Sequence, residues 1–306
     1  MRWLDMPVRL LIALLIAGGS QVIRAAEAPK YSAEIGVGGE YDSNVTVDEV
    51  DITSSQSDYA LTLDGELRAS QQFTDRTGGS LTYDFSQTNY QEFSLVNRQT
   101  HLLGADLDHK IKGVRAGLSL YYIHSRLDSD PFLTLYRTSP SLSGFINKKL
   151  FARAAYVYAD KRIDQSSDRD AITDSLELDI YYFQRGLRSY FNIGYKYKDE
   201  DSRAARLDYS SDNVKVRYVR RFDWFDRTHK FEISWRYEYR DYSAIEPAIG
   251  EEREDKRNRW RFTYEVPLGP RSALQLYGGY GEYDSNFQAA DYYQTVMGSR
   301  FIYRWD

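Results

Sequence analysis

Cysteine is absent from the 306-residue chain, and the chain has only 4 histidines, 3 methionines and 7 prolines. The lack of cysteine excludes disulfides, thiolate metal sites and a lipid-modified N-terminal cysteine. The histidines, at positions 101, 109, 124 and 229, show no i, i+4 pairing. Because zinc sites on helices use such spacing, the sequence contains no metal-binding pattern, and we expect no cofactor.

Long apolar runs are also missing, and the one short run lies at the N-terminus. Arg2 and Arg9 accompany an apolar stretch that ends at Gly18, and small residues follow up to Ala28. This layout is typical of a secretory signal peptide, and the run is too short to remain as a membrane-spanning helix. The sequence therefore predicts a signal peptide at residues 1–28 and one exported domain at residues 29–306.

The cleavage position is less sharply defined than the peptide itself. Ala26-Glu27-Ala28 has the small-x-small pattern of a cleavage site, but a proline follows it directly. Ala25 and Ala26 therefore stay open as alternatives to Ala28.

What the chain has in abundance is aromatic and charged residues. It contains 27 tyrosines, 14 phenylalanines and 5 tryptophans, while 28% of its residues are charged. The formal net charge of −5 gives no indication of a nucleic-acid partner. An exported chain that is both aromatic and polar suggests strands that are apolar on one face only.

Period-two alternation fills most of the chain, and no long segment keeps the 3.6-residue period of a helix. In Phe231–Arg240 the odd positions are apolar or aromatic and the even positions are polar or charged. Similar segments give about fourteen strands. We predict an all-β fold, a transmembrane antiparallel up-and-down β-barrel of the outer-membrane type. A soluble exported sandwich or barrel also alternates, but its interior has little room for so many aromatic rings.

The connections between these segments alternate in length, as short periplasmic turns and long extracellular loops do in outer-membrane barrels. Short connections are predicted near residues 74–77, 112–113, 147–149, 184–188, 223–228 and 268–271. Long polar ones are predicted at residues 45–57, 88–99, 128–131, 160–170, 199–210, 242–256 and 287–292. We therefore expect both termini on the periplasmic side of a Gram-negative outer membrane.

The last strand resembles the signal by which outer-membrane barrels are recognised for insertion. It carries Gly298, Phe301, Tyr303 and Trp305, but it has Val296 where a polar residue is usual and ends on Asp306 instead of an aromatic. The resemblance implies the barrel-assembly machinery as a partner, with outer-membrane lipid and lipopolysaccharide as surroundings.

If the apolar side chains of each strand face lipid, the side chains at the alternate positions face the lumen. These alternate positions, called the lumen parity below, form one acidic and one basic wall. The first four strands supply the acidic wall: Glu34, Glu40, Asp58, Asp64, Glu66, Asp84, Asp106 and Asp108. The ninth to fourteenth strands supply the basic wall: Lys196, Lys198, Lys215, Arg217, Arg236, Arg240, Arg257, Arg259, Arg261 and Arg300. Facing walls of opposite charge create a transverse field that orients polar solutes. The competing interpretation is a packed, closed barrel in which these charges neutralise each other.

Catalysis has little support in the sequence. His124-Ser125 is the nearest candidate for a lipid hydrolase, but adjacent residues of one strand point to opposite faces. We predict that the chain is not an enzyme.

The hexapeptide GEYDSN occurs twice, at residues 39–44 and 281–286. Its Asp42, Asn44, Asp284 and Asn286 offer oxygens of the kind that bind calcium, and the barrel closure would place the copies two strands apart. Asx residues more often end strands by satisfying backbone donors, and this interpretation is favoured over a metal site. The tyrosines of the two copies fall on opposite faces of their strands, since Tyr41 faces lipid and Tyr283 faces the lumen. We predict that a bulge at residues 278–281 shifts the register of the second copy so that both copies face the same way.

The stretch from Gly39 to Val45, at the close of the first strand, resembles the YDSN signature that opens the barrel of surface lipoprotein assembly modifiers. Related barrels carry the signature as well, some of them fused to polysaccharide-export proteins. The resemblance implies a barrel that helps to place lipoproteins on the cell surface. The family typically has a tetratricopeptide domain before the barrel, and here only Pro29 and Lys30 precede the first strand. We therefore expect either a separate periplasmic partner or a simple porin.

Overall fold

The computed structural model describes residues 28–305, in which fourteen antiparallel strands form one closed barrel. The strands are β1 (Lys30–Asp42), β2 (Asp58–Gln72), β3 (Thr77–Tyr90), β4 (Arg98–Ile111), β5 (Val114–Leu127), β6 (Asp130–Phe145), β7 (Leu150–Ile163), β8 (Ala171–Phe183), β9 (Ser189–Ser202), β10 (Tyr209–Trp224), β11 (Arg227–Glu246), β12 (Glu251–Pro267), β13 (Ser272–Ser285) and β14 (Tyr292–Trp305). Each strand pairs with its sequence neighbours, and β1 closes the ring against β14. The predicted barrel class and strand number are confirmed. Residues 1–27 of the predicted signal peptide lie outside the described residues.

The alternation of the sequence decides which side chains face outward. On β2, Tyr59 and Leu61 are exposed on the outer surface, while Asp58 and Thr62 of the same strand are buried. This division follows from strand geometry, because successive side chains point to opposite faces. Among residues 28–305 there is no helix whose length and apolar character would let it cross a membrane.

The two ends of the barrel differ. The first and last described residues lie at one end of the barrel, called here the turn end, whose connections are residues 73–76, 112–113, 146–149, 184–188, 225–226 and 268–271. The other end, called the loop end, carries residues 43–57, 91–97, 128–129, 164–170, 203–208, 247–250 and 286–291. The predicted asymmetry is present, although it is weaker than the sequence suggests.

The predictions of two long loops, at residues 128–131 and 242–256, were wrong. Residues 128–131 form a two-residue hairpin turn in which Asp128 and Ser129 have φ angles of 44° and 72°, and positive φ at both central positions is what tight hairpins need. Residues 242–256 are mostly strand, since β11 continues through a register shift between Asp241 and Ile245 and pairs Glu246 with Glu251. The prediction missed this part of the ladder because the ends of the two strands are charged and lack the apolar alternation on which the prediction depended.

Candidate functional site

The charged parity lines the lumen, and part of the acidic wall encloses an open space. A cavity of about 280 Å³ is lined by Glu34, Asp64, Glu66 and Asp84, together with neighbouring uncharged residues of β1 to β4. Asp106 and Asp108 lie nearer the turn end, where Asp106 accepts a hydrogen bond from Ser119 at 2.6 Å. These carboxylates of the first four strands lie on the inner face of the barrel.

Ion pairs cross the seam at which β14 meets β1. Arg300 contacts Asp64 of β2 at 2.5 Å, and Arg304 contacts Glu34 of β1 at 2.6 Å and Glu265 of β12 at 2.9 Å. Part of the acidic wall is therefore neutralised where the acidic and basic walls adjoin.

Much of the basic wall is paired with carboxylates that the sequence reasoning missed. Lys215 lies 3.0 Å from Asp179, and Lys196 lies 3.4 Å from Glu177. Both acids belong to β8, a strand between the two sets considered in the sequence. Since alternation already placed them on the lumen parity, reading all fourteen strands would have found them. The lumen is consequently less sharply divided into an acidic and a basic half than predicted.

Several residues that were predicted to face the lumen form hydrogen bonds, ion pairs or ring contacts near the loop end instead of facing open space. Asp58 accepts hydrogen bonds from the backbone N–H groups of Glu92 and Phe93 at 2.8 and 3.0 Å, so it fixes the loop of residues 91–97. Lys198 contacts Glu200 at 3.0 Å, and Arg240 contacts Glu238 at 2.9 Å. Arg257 lies above the Tyr283 ring, with its guanidinium carbon 5.6 Å from the ring centroid.

A second lumen cavity, called here the basic cavity, has a volume of about 640 Å³. Its charged side chains from β10 to β12 are Lys215, Arg217, Glu232, Arg236, Arg259 and Arg261. The strands that follow round the ring, β13, β14, β1 and β3, add Glu40, Asp42, Tyr90, Tyr277 and Gln294 to its lining. The cavity thus combines a mainly basic part on β10 to β12 with carboxylate, hydroxyl and amide groups from these strands.

The first loop, residues 43–57 and called L1 below, folds over the mouth at the loop end. Thr46–Val47 pairs with Ile52–Thr53, and a short turn at Asp48–Val50 forms the tip. Val47 is 3% exposed and packs with Phe132 and Ile163 on the upper parts of β6 and β7. L1 therefore starts at β1 and reaches the far side of the ring.

The acidic tip of L1 is held by basic side chains from several directions. Asp51 contacts Arg253 of β12 at 3.0 Å and Arg169, which follows β7, at 2.8 Å. Glu49 contacts Arg98 of β4 at 2.6 Å. Tyr292 of β14 donates a hydrogen bond to Asp48. Contacts from all round the barrel fix L1 as a cover across the mouth.

Arg253 is the central residue of this arrangement, and it is 1% exposed. It donates hydrogen bonds to both oxygens of Asp51, at 3.0 and 3.1 Å, and to both oxygens of Asp255, at 2.8 and 2.9 Å. Its guanidinium lies between the rings of Tyr242 and Phe287, 4.7 and 5.0 Å from their centroids. A buried guanidinium with two carboxylates and two rings is strongly restrained.

The first GEYDSN copy fixes the base of L1. Asn44 accepts hydrogen bonds from Thr53 at 2.7 Å and from the Ser55 backbone N–H at 2.9 Å. Its amide donates to the backbone oxygen of Tyr293 at 3.2 Å. Asp42 accepts from Gln294 of β14 at 3.0 Å. The motif thus ties the two ends of L1 to each other and to the closing seam.

The second copy also lies where a strand, β13, ends, but its side chains face the opposite way from those of the first copy. Asn286 accepts from the Glu254 backbone N–H at 2.9 Å and donates to the Glu252 carbonyl at 2.9 Å. Ser285 donates to Asp255 at 2.7 Å, so this copy braces the carboxylate that holds Arg253. Both copies therefore support the cover over the mouth.

The predicted bulge at residues 278–281 was wrong, because the pairing of β13 with β12 and β14 runs through it without a register shift. Tyr41 therefore faces outward against Tyr59, and Tyr283 faces inward, stacked on Tyr292 with centroids 4.3 Å apart. Asp42 and Asn44 are buried, whereas Asp284 and Asn286 are exposed. The four candidate calcium ligands do not converge on one point.

L1 should stay closed well into the acid range. Burial alone would raise the pKa of Asp51, but hydrogen bonds and positive charge from Arg253 and Arg169 lower it to about 2. A carboxyl with a depressed pKa contributes stability above its unfolded value and loses it as pH falls towards the folded value. This contribution, about 2 kcal/mol, is therefore complete above pH 5 and disappears between about pH 4 and pH 2.

A single spin label introduced by Gln56→Cys tests this, since the chain has no other cysteine. We expect an immobilised spectrum from pH 7 to pH 4 and mobility only as pH approaches 2. Mobilisation between pH 4 and pH 5, where ordinary carboxyl groups titrate, would contradict the assignment.

The residues of the predicted insertion signal lie along β14. Phe301 and Trp305 are exposed on the outer surface. The rings of Tyr303 and Trp305 pack together with their centroids 4.5 Å apart. Gly298 has a packing reason to be glycine, because a Cβ there would lie 2.4 Å from the ring of Tyr277 on the neighbouring strand. Recognition by the assembly machinery stays a prediction.

His124 and Ser125 point to opposite faces, as the strand geometry requires. His124 is 3.3 Å from Thr134, and Ser125, which is 1% exposed, is 3.0 Å from Thr100. Within residues 28–305 neither side chain has a carboxylate or amide hydrogen-bond partner. The pair therefore lacks the base and orienting group that a serine nucleophile needs.

Comparison with known proteins gives likeness in structure only. No family model matches the sequence, and no curated protein matches it. A loop L8 deletion mutant of OmpT, an outer membrane protein of Vibrio cholerae, superposes with a TM-score of 0.53 at 8% identity, covering 91% of this chain and 100% of that one. An anion-selective porin from Comamonas acidovorans gives 0.50 at 10% identity, covering 92% and 100%. At such low identity these likenesses show the fold, which is that of outer-membrane barrels.

Proposed function

We propose that this protein is a porin-like channel of the outer membrane that passes polar solutes or a polymer through a charged lumen. The observation that carries the proposal is the basic cavity of about 640 Å³, enclosed by charged and polar side chains inside a closed barrel. An interior built only for packing would be filled by side chains. No catalytic step is part of the proposal, and the loop end would face outward from the cell.

L1 adds a gate to this channel. It lies across the mouth, and the basic cavity reaches its base at Asp42 and Gln294. Solutes that cross the outer mouth would therefore pass L1, and the strength of its anchoring would set how freely they do so.

Swelling of proteoliposomes tests the channel. Liposomes that contain the refolded barrel and are diluted into isotonic arabinose should swell measurably faster than empty liposomes. Faster swelling after L1 is shortened would agree with the gate. Rates equal to those of empty liposomes for both the intact and the shortened chain would remove the proposal.

The second candidate is an assembly or export factor for surface lipoproteins or other surface proteins, which the resemblance of Gly39–Val45 favours. The part that this motif plays in holding L1 supports it, because an export factor also needs a mouth that opens for its client. A periplasmic partner would then supply client recognition. Copurification of a lipoprotein with the barrel, together with absence of arabinose passage, would favour this function over the channel.

A further inference from the structure

Three arginines crowd one side of the basic cavity. Arg236 of β11 lies directly opposite Arg259 of β12 in the ladder, and Arg261 follows on the same face of β12. Like charges directly opposite each other on paired strands destabilise a sheet. The arrangement therefore costs stability in the empty protein, which calls for a compensating function.

These guanidinium groups are also short of partners. Within residues 28–305, the guanidinium groups of Arg236 and Arg261 make no hydrogen bond and no ion pair. Arg259 donates to Glu238 at 2.8 Å through Nη2, while its Nε is buried without an acceptor. Arginine keeps its charge at every physiological pH, and its planar fork matches a carboxylate. The cluster can therefore accept an anion without first breaking an ion pair of Arg236 or Arg261.

Glycines keep the space in front of the cluster open. The partners of Arg259 and Arg261 on β13 are Gly281 and Gly279, which have no side chains to fill the cavity. The resulting volume of about 640 Å³ is in the range of small-molecule sites.

The part of the cavity that β1 lines selects what the rest of such an anion must be. Glu40 accepts a hydrogen bond from the Tyr277 hydroxyl at 3.0 Å through one oxygen, and its other oxygen has no hydrogen-bond partner within residues 28–305. Asp42 lies on the same side, so a second anionic group would be repelled there. Both oxygens of Asp42 already accept hydrogen bonds, from Gln294, Tyr90 and the Asn44 backbone N–H. Hydroxyl groups, in contrast, can donate to the free oxygen of Glu40.

We propose that the basic cavity binds a small hydroxylated carboxylate, a sugar acid, with its carboxylate on Arg236 and Arg261 and its hydroxyls towards Glu40. The inference rests on the proposed channel and names the solute class that the channel would select. The site lies in the solute path, so binding there would concentrate the solute within the lumen.

Titration calorimetry on the detergent-solubilised barrel tests the site without requiring solute flow. The probes are gluconate, sorbitol, which has the same hydroxylated chain without the carboxylate, and hexanoate, which has the carboxylate without the hydroxyls. We expect gluconate to bind at least about tenfold more tightly than either, because each charge-assisted or hydroxyl hydrogen bond adds affinity. The double variant Arg236→Gln/Arg261→Gln should lose at least about tenfold in gluconate affinity.

Arg115→Gln is the matched control, since Arg115 is on the lumen parity of β5 and is outside the basic cavity. It should bind gluconate as the natural chain does. Gluconate affinity equal to that of sorbitol or hexanoate, or unchanged affinity in the double variant, would overturn the inference. Passage of arabinose without any gluconate binding would support the channel and contradict this site. Gluconate binding without any solute passage supports the site and contradicts the channel.

Discussion

Replacing Arg253 with alanine should release L1 from the mouth of the barrel. The substitution leaves Asp51 and Asp255 buried without their shared guanidinium, and these side chains are 8% and 2% exposed. Removing one partner of a buried ion pair costs roughly 3–5 kcal/mol. Local opening of L1 should therefore become roughly 100-fold to several thousand-fold more frequent, which is measurable as faster hydrogen exchange of its backbone amides.

Arg162→Ala provides the control for this experiment. Arg162 is also an arginine near the loop end, but its side chain is 62% exposed and its partner, Asp160, is not part of L1. Exchange in L1 should not change in that variant. Wild-type protection of L1 in Arg253→Ala would show that its closure does not depend on this arginine.

Reversing two charges of the basic cavity should shift the ion selectivity of the proposed channel strongly towards cations. Arg259 and Arg261 both line the cavity, so Arg259→Glu/Arg261→Glu changes its charge by about four units where solutes would pass. The reversal potential in a potassium chloride gradient measures the change. Because Arg259 also pairs with Glu238, folding of the variant is checked first by the heat-dependent gel mobility of the barrel.

The matched control reverses two charges away from the lumen. Lys256 lies on the outer parity of β12 and Arg203 lies in the loop of residues 203–208, and both are exposed. Lys256→Glu/Arg203→Glu should leave the reversal potential near that of the natural chain. An equal shift in both double variants, or no shift in the cavity variant, would refute the placement of Arg259 and Arg261 in the solute path.

The barrel could be predicted from the sequence because its signal is local. Each strand needs only the alternation of its own residues, as in Phe231–Arg240, and the count of such segments matches the fourteen strands of the barrel. The ends of the strands were less predictable. At residues 242–256 the ladder continues with charged residues, and hydrogen bonds between backbones hold it without any apolar pattern.

The site was only partly predictable, because its decisive features depend on contacts between distant residues. Alternation put Arg236, Arg259 and Arg261 on one face, but it could not show which basic residues have acidic partners. L1 was interpreted as a polar loop, although Val45 and Val47 alternate with polar residues and become almost fully buried. Its anchor, Asp51 with Arg253, joins residues about two hundred positions apart, and no local pattern in the sequence indicates such a pair.

The GEYDSN copies illustrate the same limit. Asn44 and Asn286 each accept a hydrogen bond from a backbone N–H close to the end of their strand. Their connection through L1 and Ser285 to one guanidinium follows only from the closed ring. One repeated motif thus supports the cover over the mouth from two sides, with its side chains facing opposite ways.

Single-channel recording in planar lipid bilayers tests the central claim, a charged channel covered by L1, most directly. The recording compares the intact chain with one in which residues 46–53 are replaced by a short glycine–serine linker. We expect small ohmic openings from the intact chain and openings of clearly larger conductance from the shortened chain. Equal conductance in the two would contradict the cover, and silence in both would contradict the channel.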